Sequence, residues 1–437
     1  MPPESTPVIR TVRAGDLDER SHAILFERRQ SFGDLIPEVR AIMARVREQG
    51  DAALIHYAAR FDGVTLTSLE VAPDEFAEAH ALVDPAVRLA LVAEMEAVRS
   101  FHERHLTPQE EVQTAPGVRV WREWRAIERV GLYVPGGRGA YPSSVIMLGV
   151  PAGLAGCSQV VLCTPPGWDG KVPAATLVAA ELVGIHRVVK SGGAQAIAAM
   201  AYGTVSVPRV FKLFGAGNAY VTAAKLLAFP ECALDAPAGP SELLIIADEN
   251  ARADWIAADL ASDAEHGPDS AAVLVTTSPD LAQRVTAELE RQLASLSREK
   301  IARQALHSRG LIVLTEAIEE ATELANRYAP EHLEIMTASP RAVLAHVQNA
   351  GSIFLGSFSA NAAGDYATGT NHVLPTASYA RTFGPVSVES FGRMMQCQEL
   401  TRHGLEQVSA TVTTLARGEG LEGHARAVEM RLREELH

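Results

Sequence analysis

The sequence predicts an α/β protein with two tandem, mostly parallel sheets, and three observations carry that expectation. Short β-branched runs recur along the chain, each closing in a Gly- or Pro-rich turn that opens an Ala-rich helical stretch. These units fall into two series, separated where Pro and Gly cluster in "DAPAGPSE" (Asp235–Glu242). The chain has 437 residues, 47% apolar and 21% charged, which is enough for two or three domains with large cores.

Residues 34–105 read as helices. Apolar residues fall at helical spacing in "LIPEVRAIMARVREQGDAALIHYAARF" and again in "DEFAEAHALVDPAVRLALVAEMEAVRSFHERH". From residue 128 the period shortens. The first series of strand, turn and helix runs through "ERVGLYVPGG", "SQVVLCTPPG", "HRVVKSGGAQAIAAMAYG" and "RVFKLFGAGNAYVTAAKLLA". The second has "ELLIIAD", "AAVLVTT", "GLIVLTE" and "GSIFLG" as its strands, with helical segments between them. The last fifty or so residues read as helical and charged, ending in the amphipathic "GEGLEGHARAVEMRLREEL".

Composition narrows the function. The net charge is −14, and the 39 basic residues include only five lysines and form no basic run. Phosphate backbones need clustered positive charge, so nucleic acid is not an expected partner. The four cysteines form no CxxC pair, which suits reduced thiols in the cytoplasm. The N-terminus lacks an apolar signal core, and the longest apolar stretch, "VIMLGVPAGLAGC", is too short and too broken to span a bilayer. A cytoplasmic protein with no membrane contact is expected.

Several motifs can carry chemistry. "SGGAQA" and "FGAGNAY" let a ligand approach the backbone closely and open helices whose N-termini favour anions. Neither is GxGxxG, since Tyr220 stands at the third position, so a dinucleotide site and a plain tight turn both fit. In "DLASDAEHGPDS", Asp259, Asp263 and His266 share one helix face. They can hold a divalent metal or make a hydrogen-bonded helix end. "YAPEHLEI" sets Glu331 beside His332 just before a strand, two proton carriers of different ordinary pKa. "AAGDYATGTNHVLPT" is a long polar loop carrying Asp365 and His372, and "GEGLEGH" brings Glu419 and His424. Asp263, His266, Asp365 and His424 together offer two carboxylates and two imidazoles, a donor set that suits zinc or a similar divalent ion.

Taken in order, "GLYVPGG", "GGAQAIAA", "FGAGN", "PAGPSE", "AEHGPDS", "PEHL", "GDYATGTNHVLPT" and the histidine of "LEGHARAV" closely resemble the histidinol dehydrogenase family. The resemblance runs from about residue 30 to residue 430. It implies zinc- and NAD-dependent oxidation of L-histidinol to L-histidine through the aldehyde. It also implies two Rossmann-like domains, each an incomplete, mostly parallel sheet, with a helical N-terminal segment and a small C-terminal helical extension. That extension would be exchanged across a homodimer.

Carried over by motif, Asp263, His266, Asp365 and His424 are the metal positions, His424 coming from the partner subunit. Ser241, Glu331, His332, His372 and Glu419 match substrate-contacting or catalytic positions, Glu419 again from the partner. Tyr133, Gln195 and Asn218 match the NAD-contacting positions. His332 is the expected base for the hydroxyl proton, and Glu331 the residue that activates water on the aldehyde. A thiol route through Cys163 is the rival, but "VVLC" reads as a packed strand end.

The expected domains are residues 1–28 with 129–240, holding the NAD-contacting loops, and residues 29–128 with 241–385, a helical segment plus the second sheet. Residues 386–437 form the exchanged tail. Two departures stand out. Asp263 replaces the family's usual glutamine, adding negative charge at the ion, and Ala216 replaces a usual proline. The first keeps open a relative that oxidises another small polyol, such as a sulfonated propanediol. A non-catalytic metal- or nucleotide-binding protein on the same fold is the remaining alternative.

Overall fold

The computed structural model describes residues 7–28, 32–105, 110–136, 139–236 and 239–433. Gly137 of "GLYVPGG" and Pro237–Ala238 of the junction lie outside the described residues, as do the first six of the N-terminal stretch. The strands are β1 (Arg10–Arg13), β2 (Val112–Ala115), β3 (Val118–Ala126), β4 (Arg129–Tyr133), β5 (Gln159–Thr164), β6 (Arg187–Lys190) and β7 (Lys212–Phe214). They continue as β8 (Ala233–Leu234), β9 (Glu242–Ala247), β10 (Ala271–Thr276), β11 (Leu311–Leu314), β12 (His332–Met336), β13 (Ser352–Leu355) and β14 (Gly392–Leu400).

Two parallel sheets organise the molecule. The first has the order β6-β5-β4-β7-β8 and the second β1-β11-β10-β9-β12-β13. Each reverses direction once, between β4 and β7 in the first and between β9 and β12 in the second. Parallel strands covered on both faces read as continuous apolar runs, and β9 and β10 are buried at every position. Alternate residues of β9 feed opposite layers. Leu243 and Ile245 pack with Ile256 and Leu260, whereas Leu244 and Ile246 pack with Leu324 and Tyr328.

Both expected sheets and the helical stretch over 34–105 are present, but four elements join different partners from those expected. Strand β1 pairs with β11 at the edge of the second sheet rather than joining the first. The helices Ile36–Gln49 and Asp51–Tyr57 bury Val39, Met43 and Leu54 against Val161, Cys163 and Ile197 of the first sheet's layer. The helix Pro85–His102 buries Leu91 and Val98 with Val145 and Met147 on its opposite face. The expected membership of residues 1–28 and 29–128 is thus exchanged. Hydrophobic period identifies an element and its buried side, not which sheet supplies the matching surface.

The tail also differs. Gly392–Leu400 is a nine-residue strand, and it pairs antiparallel with β3 in a small third sheet, β14-β3-β2. Only then do two helices follow, Arg402–Gly418 and Glu422–Leu432. Phe391 stacks on Phe214 with ring centroids 3.9 Å apart, fastening the start of the tail to the first sheet. Among the described residues no helix is long and apolar enough to cross a membrane.

Candidate active site

At the carboxyl ends of the first sheet's strands, three turns meet at the point where the strand order reverses, the place where open α/β sheets bind ligands. Tyr133 ends β4, and its hydroxyl accepts a hydrogen bond from Gly193 N–H at 3.1 Å. Burial pushes this phenol up to about 12, so it stays neutral. Gly193 has φ +64° and starts the helix Gly193–Tyr202, over which the buried Gln195 side chain folds back. After β7, Asn218 caps the helix Ala219–Ala228, its side-chain oxygen accepting from Val221 N–H at 3.1 Å. Gly215, at φ +113°, lies so close to β4 that a Cβ there would sit 2.0 Å from the Tyr133 carbonyl oxygen. Tyr133, Gln195 and Asn218 therefore lie on three glycine-bearing turns at the carboxyl ends of the first sheet, a setting whose chemistry suits NAD.

The second sheet gathers its polar side chains at the opposite end. Ser241 precedes β9, Glu331 precedes β12 and His332 is the first residue of β12. The helix Ala253–Ala264 returns to the same edge with Asp263 in its last turn and His266 just beyond. Asp365 sits on the short helix Asn361–Tyr366, not in a loop as the sequence suggested. His372 lies in the irregular chain that follows.

His332 is central. Its Nδ1 lies 3.7 Å from Glu331 Oε2 and 4.0 Å from Asp263 Oδ1, and its Nε2 lies 3.8 Å from Asp365 Oδ1. Neither ring nitrogen makes a hydrogen bond. Burial pushes the imidazole down to about 4, against the opposing pull of Asp365. It is neutral at pH 7, rather than poised near working pH as an unperturbed histidine would be.

Around His332 the groups are held from behind. Glu331 Oε2 accepts from Glu242 N–H at 2.8 Å, while burial, followed by the Asp263 charge, raises its pKa well above the ordinary range. Ser241 Oγ donates to Asp263 Oδ1 at 2.8 Å, and the other Asp263 oxygen is buried without a partner. Burial raises Asp263 to about 6. The main-chain oxygen of Asp263 faces His266 Nδ1 at 3.1 Å, which leaves the exposed His266 its Nε2 as a ligand atom. His372 is positioned by the Asp365 carbonyl at 3.0 Å and by Ser144 Oγ at 3.1 Å.

The structure thus unites Ser241, Asp263, His266, Glu331, His332, Asp365 and His372. It does not bring Glu419 or His424 to them. Glu419 is exposed in the turn between the two tail helices and His424 is exposed on the second, and no hydrogen bond or ion pair among the described residues joins them to the cluster. Nor is any group of three or more His, Cys, Asp or Glu side chains drawn tightly enough to hold a metal ion among the described residues. The donor chemistry nonetheless fits a divalent ion. Asp263 has an orphaned buried oxygen, His266 has its second nitrogen fixed by a carbonyl as metal-bound histidines usually do, and Asp365 lies 3.8 Å from His332 on the other side.

Two acids escaped the sequence reading, Glu94 and Glu334, and a third, Asp259, was read only as part of the helix face of Asp263 and His266. Glu94 on the helix Pro85–His102 is buried, has an unpartnered oxygen, and is pushed up to about 8 by burial and then by Asp365. Asp259 and Glu334 face one another beneath Asp263, and Glu334 Oε1 accepts from Asn361 N–H at 2.8 Å. The available signal was position. Leu91, Glu94, Val98 and His102 share one apolar helix face, and Glu334 follows His332 by two residues on one face of a strand buried throughout. Cys163 is fully buried and burial raises its thiol to about 12, so it is a packed core residue with no thiolate to offer.

A family model described as histidinol dehydrogenase matches residues 26–432. Among curated proteins, the chain is similar to the histidinol dehydrogenase of Xanthomonas euvesicatoria, with 51% identity over 396 residues, covering 90% of this chain and 92% of that one. It is 46% identical over 429 residues to the enzyme of the same name from Vibrio parahaemolyticus, with 97% and 98% covered. The crystal structure of histidinol dehydrogenase from Elizabethkingia anophelis superposes with a TM-score of 0.94 at 40% identity, covering 98% of this chain and 99% of that one.

Proposed function

The chain belongs to the histidinol dehydrogenase family, and from that premise we propose that it oxidises L-histidinol to L-histidine through the aldehyde, using two molecules of NAD in sequence and a zinc ion. The observation that carries the proposal is His332: a buried, neutral imidazole with both nitrogens free, ringed within 4.0 Å by Glu331, Asp263 and Asp365. Such a group has one task open to it that packing does not explain, which is to take a proton from a bound substrate. The surrounding carboxylates suit a substrate that carries an amino group better than one that carries a sulfonate.

Asp263, His266 and Asp365 would hold zinc, with His424 delivered by a second copy of the chain. When bound, the ion supplies a fixed positive charge that orients the nitrogens of the substrate. NAD supplies the hydride acceptor at the crevice of Tyr133, Gln195 and Asn218. This chain's own residues do the proton work. His332 takes the hydroxyl proton in each oxidation. Glu331 takes a proton from the water that hydrates the aldehyde. His372, Ser241 and Glu419 of a second copy line the substrate.

The test is NADH formation from L-histidinol, with and without a chelator. Turnover to L-histidine that the chelator abolishes and zinc restores is the expected result. Turnover of a sulfonated propanediol in place of L-histidinol would assign the fold to another alcohol, and NADH formation from neither would leave a binding protein.

A further inference from the structure

Behind the Gly215–Asn218 turn lies a buried ion pair that no step above uses. Lys225, on the helix Ala219–Ala228, and Asp235, just past β8, form a charge pair with side chains only 6% and 4% exposed. The pair spans both polar atoms of one residue. Lys225 Nζ donates to the Gly215 carbonyl at 2.9 Å, and Gly215 N–H donates to Asp235 Oδ2 at 2.7 Å. Asp235 in turn is tied to the sheet, its own N–H donating to Leu213 O at 3.0 Å.

Two charges in a dry interior are costly to hold, and an apolar pair would pack there at lower cost. What an apolar pair could not supply is control of a peptide group. Gly215 has φ +113° and presses against the Tyr133 carbonyl, so its peptide planes cannot join the regular ladder. Three residues on, Asn218 leaves the turn and caps the helix that also carries Lys225. Lys225, Asp235, Gly215 and Tyr133 thus form a closed brace that fixes where Asn218 points.

We propose that Lys225 and Asp235 are positioning residues for the dinucleotide, acting through the Gly215–Asn218 turn and touching neither substrate nor cofactor. This rests on the assignment of NAD to that crevice. It predicts an effect confined to one ligand. A turn displaced by even an ångström loses much of its contact with a bound group. The amino edge of the second sheet, built on other elements, keeps its geometry.

The experiment measures NAD binding by titration calorimetry, and KM for NAD and for L-histidinol separately, in the zinc-loaded protein. The double variant Lys225→Met with Asp235→Asn removes both charges together, so that neither is left buried alone. Its KM and Kd for NAD should rise about tenfold or more, with KM for L-histidinol unchanged. The double variant Lys225→Gln with Asp235→Asn also leaves no charge buried alone, keeps an acceptor for Gly215 N–H, and should give a smaller rise in the same direction, and it serves if the first double variant fails to fold. NAD affinity equal to wild type in a folded variant overturns the proposal. So does a parallel loss for both ligands with a lowered Tm, which marks the pair as a support of the fold alone. A wild-type chain that shows no NAD binding overturns the crevice assignment itself, and is distinguishable because no variant is then needed.

Discussion

The two sheets present their ligand-facing groups at opposite ends and in opposite states of completion. The first does so beyond the carboxyl ends of β4 and β7, with glycine turns whose peptide groups are already engaged by Tyr133, Lys225 and Asp235. The second does so at the amino ends of β9 and β12, where Asp263 Oδ2 and both nitrogens of His332 are buried and unengaged. Buried polar atoms without partners cost about 1–3 kcal/mol each. A finished turn receives a ligand without rearranging. An unfinished cluster stores a preference for whatever completes it, and chemistry belongs with the second state.

That contrast can be broken most sharply at His332. His332→Asn should lower kcat about a hundred- to ten-thousand-fold while NAD affinity, measured by calorimetry, stays at the wild-type value. Loss of NAD binding in that variant would show the two ends to be one unit. Next in size is Glu331→Gln, which should slow oxidation of L-histidinaldehyde about a hundredfold and oxidation of L-histidinol much less. Normal aldehyde oxidation in single-turnover measurements would remove Glu331 from water activation.

Asp263→Gln tests the cost of incompleteness directly. Burial raises this carboxyl to about 6, so at pH 7 the metal-free chain holds a buried charge at a cost. The amide should raise the Tm of the metal-free chain and weaken zinc retention about tenfold in competition with a chelator. A fall in metal-free Tm would mean that the carboxylate is satisfied as it stands. The smallest effect is expected at His102, which belongs to neither end. Burial pushes this imidazole down to about 4 from an ordinary 6.5. A depressed pKa contributes stability that is present above pH 6.5 and lost as pH falls through 4. His102→Leu should flatten that acid loss in thermal melts, by on the order of 2 kcal/mol between those limits, and leave kcat at neutral pH alone.

The strand, turn and helix units were legible because each is a local pattern. "ELLIIAD" and "AAVLVTT" could be little else than covered parallel strands, and they are β9 and β10. The helix carrying Asp263 was legible for the same reason, although it ends at Ala264 and His266 lies in the turn beyond it. What escaped reading was long-range. Nothing in "RTVR" says that it pairs with "LIVL" rather than with the first sheet, and nothing in "GRMMQCQEL" separates a strand bound to β3 from the charged helices after it. Buried acids such as Glu94 and Asp235 look like solvated ones until their neighbours are placed. The amino-end location of the cluster was hidden too, since it depends on which end of β12 carries His332.

Strand β1 has a consequence for how the chain is made. A ribosome releases Arg10–Arg13 long before it reaches Leu311–Leu314, a wait of roughly 15–60 s at ordinary rates of synthesis. The strands of the first sheet need no such patience, because β4 through β8 emerge as one continuous stretch, with the covering contacts of Val386, Val388 and Phe391 still to come. Translation therefore delivers the strands of the first sheet early and the edge that carries Glu331 and His332 late, with an amino-terminal strand held in reserve until then.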